Sequence, residues 1–339
     1  DTVEGNVNRI SLSNFSNVEN ATFTGSKGFL ITGNSLDNVL TGNDRGNLFW
    51  GGGSGNDTFI GGSGNDSYYI NYNSSDQWDV TTIVDGGGTD TIIINKDTNF
   101  DLTSVTGHED IENLQTNSKS GATLTGNDNN NTITGGSGND TLIGGLGDDT
   151  YVYTSGDTIV ENVGEGTDTV KSSSTINLSS SSNIEYITLT GSSNVNATGT
   201  SDDNIITGNR GKNTLNGGEG DDTLNGGAGI DRLVGGLGDD TYVYTSGDTI
   251  IEKAGEGTDT VEGNVNRISL SNFSNVENAT FTGSKGFLIT GNSLDNVLTG
   301  NDRGNLFWGG GSGNDTFIGG SGNDSYYINY NSSDQWDVT

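Results

Sequence analysis

Large apolar residues fall on a nine-residue grid along this chain. The stretch from Gly217 to Val243 reads GGEGDDTLN, GGAGIDRLV and GGLGDDTYV, with Leu224, Leu233 and Tyr242 each alone behind a hexad rich in Gly and Asp. One large apolar residue between two polar neighbours is the pattern of a half-buried strand. Each such triplet therefore predicts a short strand with one side chain inward. The glycines before it predict a tight turn that uses positive φ and exposes its carbonyls. Two nonamers then make one turn of a coil, and Asp222 and Asp240 come to lie one above the other on the same edge.

Units with the full grammar G-G-x-G-x-D-x-U-x, where U is large and apolar, begin at Gly52, Gly61, Gly135, Gly144, Gly217, Gly226, Gly235, Gly310 and Gly319. Ahead of them run degenerate copies in which Asn replaces Asp. Asn131, Asn204 and Asn213 precede Asp149, Asp222 and Asp231 by two nonamers each. Stacked Asn side chains can bond as a ladder without a metal, so these turns are expected to hold a cation weakly or not at all. After each run the grid continues with altered spacing. Asp157 follows Asp140 at one position short of two nonamers, and Asp168 follows Asp149 at one position beyond. The same relations link Asp231 to Asp248 and Asp240 to Asp259.

Larger repeats lie above the nonamers. Residues 1–81 recur identically as residues 259–339. Related units divide the chain into 1–90, 91–168, 169–259 and 260–339, expected to form one continuous solenoid rather than separate domains. Each unit opens with a Ser/Thr/Asn-rich segment whose alternation predicts strands: SNVENATFTG from Ser16, EDIENLQTNS from Glu109, SNIEYITLTG from Ser182. Glu19, Glu112 and Glu185 hold equivalent places there, and a structural role is the expectation. The 1–90 unit is aromatic, with Phe49, Trp50, Phe59, Tyr68, Tyr69, Tyr72 and Trp78. It also carries an extra Gly51 and an insertion between Tyr69 and Trp78. The steps from Asp57 to Asp79 and from Asp66 to Asp90 are therefore longer than two nonamers. Either its rings fill the coil and the insertion is a bulge, or they form an exposed patch for lateral contact or ligand stacking.

Composition narrows the function. Hydrophobic content of 28% and 57 glycines in 339 residues would suggest disorder without the period. With it, a thin continuous core is possible, and disorder is the expectation for the metal-free chain only. A net charge of −32 disfavours nucleic acid and anionic membranes. It favours a chain whose carboxylates need divalent cations before they can pack closely. With no Cys there is no disulfide framework or thiol chemistry, and no run approaches a membrane span or shows a signal peptide. The missing Met at position 1 suggests a processed product or a window of a longer chain. His108 is the one histidine, so a zinc site or a catalytic constellation is not expected, and the chain is read as a non-enzyme.

Paired carboxylates with glycine-loop carbonyls between turns suit Ca²⁺, a hard cation that takes many oxygen ligands. The nonamers resemble the haemolysin-type repeats of RTX proteins. The whole order of residues 183–261, through GGxGDDTYVY, GDTI and GEGTDTV, is similar to arrays in very large secreted bacterial surface proteins. That resemblance implies an all-β, right-handed parallel β-roll or β-solenoid, an elongated rod with several Ca²⁺ between its turns. It also implies an extracellular or cell-surface location reached unfolded by one-step secretion. The predicted ligands are Asp57, Asp66, Asp79, Asp90, Asp140, Asp149, Asp157, Asp168, Asp222, Asp231, Asp240, Asp248, Asp259, Asp315, Asp324 and Asp337. The predicted carbonyl loops contain Gly136, Gly138, Gly145, Gly147, Gly218, Gly220, Gly227, Gly229, Gly236 and Gly238. The expected function is a structural filament or surface segment, self-associating into fibres or continuing in a longer array. The alternative is an adhesin module that recognises carbohydrate or a cell-surface partner.

Overall fold

Short parallel strands build the fold, and each bonds to the strand one turn further along. The structure is a computed structural model that describes residues 1–71, 78–96, 98–181 and 183–328. Its contacts divide the chain into two compact units, Asp1–Val170 and Lys171–Thr339.

In the first unit the chain alternates between two sets of strands. Thr2–Gly5, Asn20–Phe23, Val39–Thr41, Asp57–Ile60 and Val80–Val84 pair in that order. Between them run Arg9–Ser11, Leu30–Thr32, Leu48–Trp50, Ser67–Ile70, Thr91–Ile94 and Asn113–Thr116, which pair with one another in the same way. Strands adjacent in sequence thus belong to different sheets, and the nonamer is half a turn. The second unit repeats this plan. Thr223–Asn225 pairs with Ile205–Thr207 before it and Thr241–Val243 after it, and Thr214–Glu219 pairs with Arg232–Leu237 in the other sheet. Within each unit the fold is the all-β solenoid that the nine-residue grid predicts.

The core is one side chain wide. In Thr141–Ile143, Thr223–Asn225 and Thr241–Val243 the middle residue is buried and its neighbours are half-buried. Leu142, Leu215, Leu224, Leu233 and Tyr242 are completely buried. Each such side chain contributes about 1.5–3 kcal/mol by leaving water. The flanking Thr residues suit the pleated surface, since a β-branched side chain is already restricted at χ1.

The Ser/Thr/Asn-rich segments are not continuous strand. Leu12–Asn14, Leu102–Ser104 and Leu270–Asn272 form single 3-10 turns whose leading leucine is buried. They widen the coil beyond two nonamers. Thr132 pairs with Thr150, two nonamers on, whereas Thr91 reaches past that distance to pair with Asn113. The strand begins only after the shared Glu, as Asn20–Phe23, Asn113–Thr116 and Tyr186–Leu189.

The aromatic unit uses its rings in two directions. Phe49, Phe59 and Tyr68 are fully buried and stack inside the coil, Phe49 with centroids 5.4 Å from Phe59 and 5.2 Å from Tyr68. Trp50, next to Phe49 on the strand and so pointing the other way, is 44% exposed and stacks on Tyr69 at 6.1 Å. The strand Asp57–Ile60 meets Val80–Val84 with a register shift between Asp57 and Thr58. Tyr72 and the inserted residues 72–77 lie outside the described residues. Among the described residues no helix is long and apolar enough to cross a membrane.

Candidate metal centre

The sixth-position aspartate stands immediately before each strand, at the corner where the turn enters the sheet. Stacking the turns therefore stacks these carboxylates, and the backbone ties them together. The N–H of Asn204 donates to Asp222 Oδ1 at 2.7 Å, that of Asp222 to Asp240 Oδ1 at 2.8 Å, and that of Asp240 to Asp259 Oδ1 at 2.9 Å. The N–H of Asp259 then donates to Glu277 Oε2 at 2.9 Å. Asn47, Asp66, Asp90 and Glu112 make the same ladder in the first unit. Asn131, Asp149 and Asp168 make another. The Glu of the Ser/Thr/Asn segment thus takes the last rung, as Glu112 does for Asp90.

The opposite edge carries a second kind of ladder. Asn213 donates to Asp231, whose N–H donates to Asp248 Oδ1 at 2.9 Å. Asp248 Oδ2 then accepts from the backbone and hydroxyl of Thr245. Ala122, Asp140 and Asp157 repeat this, with Thr154 closing the end. Asn38 donates to Asp57, and Asp57 sits against Asp79, whose carboxylate accepts the N–H of Asn71 at 2.7 Å. Asp315 and Asp324 accept from Asn296 and Asn305. Asp324 is half-buried, while the other described aspartates of the predicted set are buried. Asp337 lies outside the described residues.

Each rung uses only one carboxylate oxygen. The Oδ2 atoms of Asp57, Asp66, Asp90, Asp140, Asp149, Asp222, Asp231, Asp240 and Asp259 are buried with no hydrogen-bond partner. A buried carboxylate oxygen left so is costly unless something positive faces it. Burial pushes Asp57 and Asp222 up to about 8 and Asp149 and Asp240 up to about 7, with the neighbouring aspartates adding repulsion. Asp140 and Asp231 are raised for the same reason. Their ladder bonds pull the other way and do not compensate. The stacks therefore present hard, anionic oxygens aimed inward, and a divalent cation is the partner they lack.

The loops beside the stacks turn on glycine. Gly136, Gly138, Gly145, Gly147, Gly218, Gly220, Gly227, Gly229, Gly236 and Gly238 all have positive φ. At Gly236, φ is 124° and a Cβ would overlap the carbonyl oxygen of Gly218 one turn below, so only glycine fits.

Where Asn replaces Asp, the amide does what a cation would do. Asn204 Oδ1 accepts the N–H of Thr200 at 2.7 Å, and Nδ2 donates to the carbonyl of Ile184 at 2.6 Å in the turn below. Asn131 and Asn213 bond in the same way to Ile111 and Val195. The predicted side-chain ladder between Asn residues one turn apart is replaced by these backbone bonds, because an amide carries its own donor and the nearest open acceptors are carbonyls.

The geometry fits calcium, and comparison with known families identifies the source of the pattern. Residues 32–68, 123–160, 198–233, 217–251 and 290–326 match the RTX calcium-binding nonapeptide repeat. The chain is an RTX repeat protein. No curated protein matches it significantly. RTX repeats bind Ca²⁺, and the acidic clusters here are where this chain can hold it. In these repeats the ion would neutralise the stacked carboxylates and pin one turn to the next. The Asp side chains would supply the anionic oxygens, and the positive-φ glycines would let the backbone approach the same ion.

Three acidic residues escaped the sequence pattern. Asp85, Glu161 and Glu252 each lie beside two ladder aspartates, with ligand oxygens of all three within 4.8 Å of one another. Their signal is small: one acid directly after the strand, where a nonamer would place its first glycine. A second missed feature is an exposed ladder at the fifth position, in which Asp203, Asp221 and Asp239 accept the N–H groups of Asp221, Asp239 and Thr258. The single histidine, His108, is partly exposed, with Glu109 3.8 Å away.

Proposed function

We propose that the chain is a structural, calcium-hardened segment of an extracellular filament or cell-surface protein, exported unfolded and folded where calcium is abundant. The observation that carries this reading is the open stack of rungs. The N–H groups of Asp222, Asp240 and Asp259 each find their acceptor in the next turn, and the inward side chains of their strands pack on that turn as well. Bonds that pass from turn to turn favour extension of the stack over closure. The identical segments 1–81 and 259–339 add a regularly recurring surface, which suits lateral or end-to-end association. RTX repeats are also typical of secreted bacterial proteins. Electron microscopy of the protein from its source, in calcium, is expected to show thin unbranched fibres that disperse on prolonged chelation. Discrete globular particles would sink the proposal.

A second reading is favoured by one feature. Trp50 is exposed and stacks on the half-buried Tyr69, and their copies Trp308 and Tyr327, opposite each other on paired strands, are both exposed. Flat rings in this arrangement suit stacking on a sugar ring. On this reading the repeats are a stalk, and Trp50→Ala with Trp308→Ala would abolish binding to glycans or cells while calcium-induced folding persists.

A further inference from the structure

We propose that the last paired step of the Asn-to-Glu ladders is a cation site of a second kind, with three carboxylates and a tyrosine in place of two carboxylates. In the second unit it consists of Asp240, Glu252, Asp259 and Tyr242. The equivalents in the first unit are Asp66, Asp85, Asp90 and Tyr68, and Asp149, Glu161, Asp168 and Tyr151. The proposal rests on calcium binding by the repeats and is independent of the filament role.

The third acid occupies a defined place. Val234 pairs with Ile251, which sets Glu252 one turn beyond Gly235, the first glycine of its nonamer. Ile60 pairs with Val84 and Ile143 with Val160, which set Asp85 beyond Gly61 and Glu161 beyond Gly144. Inside a run that place holds glycine, and a Cβ at Gly217 would overlap Asp222 Oδ2. The closing turn thus trades a glycine for a carboxylate at the same point of the slot. The trade occurs at all three sites, although DGGGTD is shorter than ENVGEGTD and EKAGEGTD.

Close acids alone would not make a site, but two further features do. The first is burial with open valence. Asp240, Asp259, Asp66, Asp90 and Asp149 are at most 1% exposed and Glu252 is 8% exposed, and an oxygen of each has no partner. The neighbouring cation does not compensate: Lys253, beside Glu252, pairs with Glu256 at 2.7 Å on the surface. The second is the tyrosine, which is not part of the acidic ladder. Tyr151 is 0% exposed and its hydroxyl has no hydrogen-bond partner, although buried phenols normally find one. That hydroxyl lies beside Asp149 Oδ2, since a Cβ on Gly144 would touch both. In the other two sites the phenol donates to the third acid, Tyr68 to Asp85 and Tyr242 to Glu252. Four oxygens thus converge on one buried point three times over.

A donor set of three carboxylates binds a given cation more tightly than two, and favours a trivalent ion still more. These sites are therefore the first to fill, and they anchor the turn that ends each run.

Terbium(III), which takes calcium's oxygen ligands and is sensitised by a nearby phenol, tests this on the full chain. Excited through tyrosine, emission should saturate first at about three equivalents, one per three-carboxylate site. The single variants Asp85→Asn, Glu161→Gln and Glu252→Gln should each lose about a quarter to a third of that emission and one tight site. Tyr151→Phe should dim the emission without changing the terbium bound. The triple acid variant should lose the tight class altogether, at least about tenfold in affinity, while calcium still induces β structure through the two-aspartate slots. If the triple variant does not fold, the single variants decide. Unchanged emission and stoichiometry in them would overturn the proposal. Failure of calcium to fold the parent chain would instead count against calcium-dependent folding as a whole.

Discussion

At the scale of single residues, one atom type sets the chemistry: the second oxygen of a buried aspartate. Asp240 shows the balance. Its Oδ1 holds the turn below through the N–H of Asp222, and its own N–H is held by Asp259, while Oδ2 has no partner in the protein. Removing the side chain strands the N–H of Asp222, at a cost of about 1–3 kcal/mol, and on the proposed register it would also remove a calcium ligand from two slots. Asp202 accepts one N–H, from Asn183, but stands off the sixth position. Asp240→Ala is therefore expected to lower the melting temperature in calcium and to raise the calcium concentration needed for folding. Asp202→Ala should leave the calcium midpoint unchanged. Equal shifts of that midpoint in calcium titrations would refute the register.

At the scale of the element, the strand is too short to be stable alone. Thr223–Asn225 is three residues long and buries one side chain, Leu224, between Ile206 and Tyr242 of the neighbouring turns. Its stability comes from that contact and from the two ladders of backbone bonds. Leu224→Ala opens a cavity in a column only one side chain wide and should cost about 2–5 kcal/mol. Because the stack is nearly one-dimensional, the loss should spread to adjacent turns. Amide exchange should show loss of protection centred on residues 205–243, with little change near Leu124. Uniform loss over the whole chain would mean a single cooperative core instead.

At the scale of the molecule, each turn is covered by the next. Tyr68 pairs with Ile92 of the next turn and is 0% exposed. A repeat is finished only by its neighbour. The same dependence ties folding to charge. The ladder carboxylates bind their protons more tightly in the fold than in the unfolded chain, Asp57, Asp222 and Glu252 with values raised to about 8 and Asp66 and Asp259 to about 6. Without metal, the fold is therefore favoured most below their ordinary values of 3.8 and 4.5, where both forms are protonated. That advantage is lost as pH rises through about 6 to 8. Calcium takes the place of those protons. In chelator, circular dichroism is expected to show β structure growing as pH falls from about 8 to about 4. Near neutral pH, calcium should restore it where equal magnesium, with its smaller octahedral shell, does not. A spectrum unmoved by chelator at neutral pH would contradict this.

The sequence by itself determined the grid: strand length, the inward residue of each triplet, the glycine turns, and the vertical register of the aspartates, including the shortened step to Asp157 and the lengthened step to Asp168. These follow from spacing, because a side-chain period of two and a turn of two nonamers leave little freedom. The kind of ion is legible too, since carboxylates without His or Cys suit a hard cation. Only the tertiary structure decided which oxygens stay open. Whether Asp157 Oδ2 is taken by Thr154, or Asp240 Oδ2 is left bare, depends on how the loop after each strand folds back. It also decided that Asp85 joins the same point as Glu161 and Glu252, although its spacing from its two aspartates differs from the one those two share. Loops of different length deliver them to one point, and the fold alone measures that distance. Trp50 and Phe49 make the same point in the core: adjacent in sequence and alike in chemistry, they part because the strand turns one inward and the other out.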